Sequence, residues 1–215
     1  MKVYVQIFQF AVFLSILNFG RPARAHEYPL SSEVLREAHF FGRSTDRMKV
    51  ARFLALYVRR FGRHGAGPYV GEIELRTPYE QVVLRSAESP PGYSAQQAQV
   101  DYDSQPDLIR VRVFLFVGER DPRKADLYTD DFGRVRDRYE GFWREFRFRV
   151  MQDHLIEPMD IEARPIYSRR GQGLGGAEVW LEINASAIKS SSAQVEVMSP
   201  DGQTVVAKFA LDHLK

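Results

Sequence analysis

The chain contains no cysteine. That excludes disulfides, thiolate zinc sites, iron–sulfur clusters, a cysteine nucleophile and a lipid-bearing anchor cysteine. Gly-x-Ser-x-Gly is also absent, so nothing marks the nucleophile elbow of a serine hydrolase. Lysine is scarce, with 6 Lys against 24 Arg, and the formal net charge is only +2. The five histidines, His26, His39, His64, His154 and His213, form no ligand-spaced pair. Beyond the first twenty residues no apolar run approaches the roughly 20 residues that a membrane span needs.

The one long apolar run is residues 3–17. Lys2 precedes it, and Ala23-Arg-Ala25 follows after Gly20 and Pro22. A positive start, a short apolar stretch and a small-x-small site are the three parts of an export signal. Residues 1–25 are therefore read as a signal peptide, with cleavage leaving His26 as the new N-terminus. The leader carries Lys2, Arg21 and Arg24. Removing them from 30 basic residues leaves 27 against 28 acidic ones, a net of −1. The basicity of the whole sequence thus belongs to the leader, and the electrostatic case for a nucleic-acid partner goes with it. A periplasmic or secreted product is expected, with no transmembrane span after cleavage.

Residues 26–215 read as one domain, because no linker or repeat divides them. Residues 26–64 are expected to form a helical hairpin. Its first helix runs over 31–41, with Val34, Leu35, Ala38 and Phe41 on one face. Its second runs over 46–61, with Val50, Phe53, Leu54, Tyr57, Val58 and Phe61 at helical spacing. The Arg and Lys of the second helix read as a solvated face, the alternative being contact with anionic lipid or polymer.

From residue 65 the apolar period changes to two. Strands are expected over 69–76, 79–86, 108–117, 141–153, 161–168, 178–184, 194–199 and 204–211, about eight in all. Pro165 suggests an edge strand, and Pro200-Asp-Gly202 a hairpin turn. Ser94 with Gln97 matches a capping box for a short helix to about Asp103. The fold class is mainly β (α+β): an antiparallel β-sandwich or partly closed barrel carrying the helical hairpin.

The segments Phe53-Leu-Ala-Leu-Tyr-Val-Arg-Arg, Gly67-Pro-Tyr-Val-Gly-Glu-Ile-Glu-Leu-Arg-Thr-Pro-Tyr79 and Gly92-Tyr-Ser-Ala-Gln-Gln97 resemble exported proteins of soil bacteria such as Acidobacteria. The resemblance covers about a quarter of the mature chain, implies export and transfers no catalytic residue.

Four patterns bear on chemistry. An N-terminal His26 could bind copper through its amine and imidazole, but the arrangement needs a second His. Gly171-x-Gly-x-x-Gly176 matches a dinucleotide fingerprint by letter, yet a strand follows it where a helix is required. Asp121, Asp126, Asp130, Asp131 and Asp137 crowd the polar stretch 118–140, which suits calcium by composition but interleaves with Arg and Lys as a solvated loop does. Finally, Glu178, Trp180 and Glu182 share one face of a strand. An aromatic ring between carboxylates is a sugar platform, and paired carboxylates can serve acid and base roles in glycoside hydrolysis. The plainer alternative makes Trp180 a cover residue under the helical hairpin. Glu72 and Glu74 are taken as ordinary solvent-face residues. No catalytic residue, metal or cofactor is expected. The chain reads as a binding or scaffolding module for a ligand of the cell envelope or exterior. The alternatives are a secreted polysaccharide hydrolase using Glu178 or Glu182, and an N-terminal-His copper protein.

Overall fold

A computed structural model describes residues 28–63, 67–118, 127–129, 135–137, 141–167, 173–211 and 214. The expected leader lies outside these residues, as do most of 118–140 and residues 168–172.

Eleven described strands make two main antiparallel sheets and one small hairpin. They are β1 (Val58–Arg60), β2 (Tyr69–Arg76), β3 (Leu108–Phe116), β4 (Leu127–Thr129), β5 (Val135–Asp137), β6 (Arg147–Met151), β7 (Leu155–Ile156), β8 (Asp160–Tyr167), β9 (Leu174–Asn184), β10 (Ser192–Met198) and β11 (Thr204–Ala210). The larger sheet has the order β1-β2-β3-β9-β8 and the smaller β11-β10-β6-β7, while β4 pairs only with β5. The main sheets do not close into a barrel. Period-two burial explains the layering. Ile73 and Leu75 of β2, Val111, Val113 and Leu115 of β3, and Val179, Leu181 and Ile183 of β9 are buried. They share one core with Val150 of β6, Val195 and Val197 of β10 and Phe209 of β11. This is a sandwich, as the strand alternation predicts. β8 lies at an edge, where Pro165 removes no ladder bond from an inner strand. The β10–β11 hairpin turns at Gly202, whose φ of +84° suits a residue without a Cβ.

Four helices are described: α1 (Ser32–Gly42), α2 (Arg47–Ala55), α3 (Pro78–Glu88) and α4 (Ala95–Asp103). None is long and apolar enough to cross a membrane. Ser31 caps α1 and Ser94 caps α4, accepting from the amides of Val34 and Gln97. α1, α2 and α3 share a second core of Leu35, Ala38, Val50, Tyr79, Val82 and Val83. α1 packs closely on α3: a Cβ on Gly42 would sit 2.3 Å from the Val83 carbonyl oxygen.

Three expectations fail. Residues 141–153, expected as one strand, begin with a 3-10 helix over Phe142–Glu145 after Gly141, whose φ of +92° breaks the extended backbone, and only Arg147–Met151 form β6. The second helix does not reach Phe61. It stops at Ala55, and Val58–Arg60 pair with Glu72–Glu74 as edge strand β1. β-branched Val58 and the open edge of β2 outweigh the helical spacing. Residues 79–86, expected as a strand, lie in α3. Thr77 is the N-cap, its Oγ accepting from the Glu80 amide at 3.2 Å, and Pro78 occupies the first turn. Thr-x-x-Glu with Pro at the first helical position is a helix start. Pro78 is thus a helix initiator.

Phe53 joins the two cores, meeting Phe41, Tyr57 and Tyr79 edge-on at centroid distances of 5.0, 5.2 and 5.9 Å. Phe53→Ala is expected to cost roughly 3 kcal/mol of unfolding free energy, the lower end of the range for removing a packed aromatic. Urea denaturation measures it, and a loss below about 1 kcal/mol would show that the two cores do not depend on this ring.

Candidate functional site

Strands β2, β3, β9 and β8 bury one set of alternate side chains and turn the other set outward. The outward set falls into cross-strand rows. Glu74, Arg112, Trp180 and Glu162 are aligned in one row. Arg76, Arg110, Glu182 and Asp160 make the next, and Glu72, Phe114, Glu178 and Arg164 the row on the other side. Trp180 therefore sits mid-face with Glu178 and Glu182 two residues away along its own strand.

Opposite charges in these rows pair. Arg112 donates from Nε to Glu178 and from Nη1 to Glu74 at 2.9 Å. Arg76 donates from Nη2 to the same Glu74 oxygen at 2.9 Å. Arg110 donates from Nε to Glu182 at 2.9 Å and from Nη1 to Gln81 of α3 at 3.2 Å. Arg164 grips Glu162 with two bonds of 3.0 and 3.1 Å. The guanidinium carbons of Arg76 and Arg112 lie 4.8 and 5.5 Å from the Trp180 ring centre, within cation–π range. Glu74, expected as a solvent-face residue, is 8% exposed. Two arginines and the start of α3 cover it. Glu72 behaves as expected, paired with the exposed Arg60 at 3.0 Å.

Two open clefts meet at Trp180 and Arg110. One, of about 390 Å³, is lined by these two with Asp160, Glu162, Arg164 and Glu182. The other, of about 450 Å³, runs toward α3, where Arg76, Gln81, Arg85 and Glu88 border it. Trp180 is half-buried at their junction. The helix beside it is α3, not the N-terminal hairpin. Farther along the same face Phe116 stacks on Tyr69 at 5.5 Å, and Gly71 leaves the space its ring occupies.

Glu178 and Glu182 each give one carboxylate oxygen to an arginine, Arg112 and Arg110 respectively. The raised carboxyl on this side of the molecule is Glu80, which no sequence pattern singled out. It is fully buried in the first turn of α3, and neither oxygen has a hydrogen-bond partner. Burial pushes its pKa up to about 8, opposed by Arg76 and reinforced by Glu74 and Glu88, with Arg112 acting weakly against it. Tyr57, hydrogen-bonded to Thr77, borders it from the other side. The buried Arg76 Nε is likewise unpartnered. The signal that could have found Glu80 is its place in the Thr77-x-x-Glu80 start.

The remaining candidates scatter. His39 is buried: its Nδ1 lies 3.2 Å from Ser86 Oγ, and burial, aided by Arg43, lowers its pKa. His154 is exposed on the turn between β6 and β7. His26, His64, His213, the five aspartates of 118–140 and Gly171 lie outside the residues whose side chains are described. Among the described residues no group of three His, Asp or Glu could hold a metal ion. No protein-family profile matches the chain, and no curated protein sequence is significantly similar to it.

Glu80 makes stability pH-dependent. Its ordinary value is 4.5 and its folded value about 8. Between these the folded state keeps a proton that the unfolded state releases, so stability falls as pH rises. Across that window the folding constant is expected to drop up to about tenfold per pH unit and then level off. Glu80→Gln should remove this component. Denaturation midpoints across pH test it, and parallel profiles for wild type and variant would contradict it.

Proposed function

We propose that this is an exported, non-enzymatic module that binds a saccharide of the cell envelope or exterior on the outer face of its five-stranded sheet. The observation that carries the reading is the placement of Trp180 where two clefts meet, between two carboxylates and beside two arginines. An indole ring offers a flat apolar surface to the C–H face of a pyranose, and the flanking groups offer acceptors and donors for its hydroxyls. Glu178 and Glu182 each take their arginine bond on Oε1, so the second oxygen of each can accept from a ligand. Export supports such a ligand, since polysaccharide lies outside the cytoplasm, and the export reading rests on residues 1–25.

Binding is favoured over hydrolysis because the carboxylates nearest the platform are each engaged by an arginine, Glu182 by Arg110 and Glu178 by Arg112. Glu80, whose pKa is raised by burial, is enclosed on the inner side of α3 and lines neither cleft.

Purified protein lacking residues 1–25 is expected to be retarded in gels containing cellulose derivatives, xylan or mannan. Trp180→Ala should weaken the retardation at least about tenfold, the scale of a central aromatic anchor. Retardation in none of these gels, or retardation unchanged by Trp180→Ala, would sink the reading. Release of reducing ends that Glu182→Gln abolishes would replace it with the hydrolase.

A further inference from the structure

The charges around Trp180 are balanced. Four cations, Arg76, Arg110, Arg112 and Arg164, face four anions, Glu74, Glu162, Glu178 and Glu182, and every one of the eight is in a hydrogen-bonded pair. Farther out, Arg85 lies 3.8 Å from Asp101. The two groups left over on the cleft rims, Asp160 and Glu88, are both acidic. A site that selects a charged sugar keeps an uncompensated opposite charge for it. Here a uronate or sulfate would have to pull an arginine from its carboxylate, and in the cleft beside β8 it would meet an acidic excess from Asp160, Glu162 and Glu182. An amino sugar would have to compete with arginines that already hold the inner carboxylates. A hydroxyl needs neither. It can accept from arginine N–H groups not used in the pairs and donate to the second oxygens of Glu178 and Glu182. Resting on the saccharide-binding reading, the geometry points to an uncharged glycan as the ligand class, with specificity against both acidic and basic sugars set by the pre-paired charges.

The lattice also bears on salt. Selection by unpaired charge weakens steeply as ionic strength rises, because screening removes the long-range attraction. Binding through stacking and hydroxyl bonds does not.

The test is calorimetric titration of the leaderless protein with cellohexaose, xylohexaose and mannohexaose, with hexagalacturonate, and with the fully deacetylated glucosamine hexamer. Expected is binding of at least one neutral hexasaccharide that exceeds both charged ones by at least about tenfold, is lost in Trp180→Ala, and changes less than about threefold between about 0.05 and 1 M salt. In Glu182→Gln, which leaves Arg110 uncompensated, hexagalacturonate should gain affinity relative to the neutral chain. Tighter Trp180-dependent binding of hexagalacturonate or of the glucosamine hexamer to wild type would overturn the inference while leaving the saccharide site standing. Loss of the Glu182→Gln gain would overturn the role given to the pre-paired charges. If no probe binds, or binding ignores Trp180→Ala, the saccharide reading itself falls and this inference with it. Circular dichroism of Trp180→Ala and Glu182→Gln separates a lost site from a lost fold.

Discussion

The structure depends on the antiparallel pairing of β3 with β9. Nine residues of each strand are in continuous register, from Leu108 opposite Asn184 to Phe116 opposite Gly176. Because side chains alternate, a slip of one residue would exchange the faces of both strands. The register therefore sets two things at once. Inward it stacks Val111, Val113 and Leu115 against Ala177, Val179 and Leu181 to make the centre of the core. Outward it sets Arg110 against Glu182 and Arg112 against Trp180, with Glu178 one diagonal step away. Gly176 allows the two strands to stay this close at their far end, where a Cβ would lie 2.3 Å from the Leu115 carbonyl oxygen.

On this scaffold the outer face is held by sharing. Glu74 accepts from two arginines, and Arg112 serves two glutamates, so Arg76, Glu74, Arg112 and Glu178 form one chain across three strands. An isolated exposed pair contributes little, about 1 kcal/mol or less. Partly covered, cross-linked pairs lose less side-chain entropy each and fix the rings and carboxylates they touch. Such a face suits recognition. Glu80, by contrast, is buried in α3 with its pKa raised, and reads out as a pH-dependent cost to the fold.

Strand β3 was legible from its clean alternation, and β9, β10 and β11 from theirs, because core-facing apolar residues recur at every second position in each. The first helix and the Ser94 cap were legible from local hydrogen-bond chemistry, which tertiary contacts do not overrule. Three segments were not. Residues 142–146 carry aromatics at strand spacing, yet Gly141 at φ +92° turns Phe142–Glu145 into a 3-10 helix. Residues 57–61 continue a helical spacing, yet they border an unfilled sheet edge, and the ladder wins. Residues 79–86 alternate briefly, yet Thr77, Pro78 and Glu80 start a helix. Trp180 and its two glutamates could be placed on one face from period two alone. Their arginines could not be assigned, because Arg76, Arg110 and Arg112 arrive from strands whose order is a property of the fold. Burial of Glu80 likewise follows from how α3 packs in the folded chain, which no local pattern encodes.

The central claim is that the outer face around Trp180 is the surface the protein uses. Chemical-shift mapping tests it most directly, with isotope-labelled leaderless protein titrated with cellohexaose and with xylohexaose. The account predicts saturable shifts at the Trp180 indole N–H and at the amides of Arg110, Arg112, Glu178 and Glu182, with the sheet of β6, β7, β10 and β11 unmoved. Shifts confined to that second sheet or to the helices, or no shift with either sugar, would contradict it.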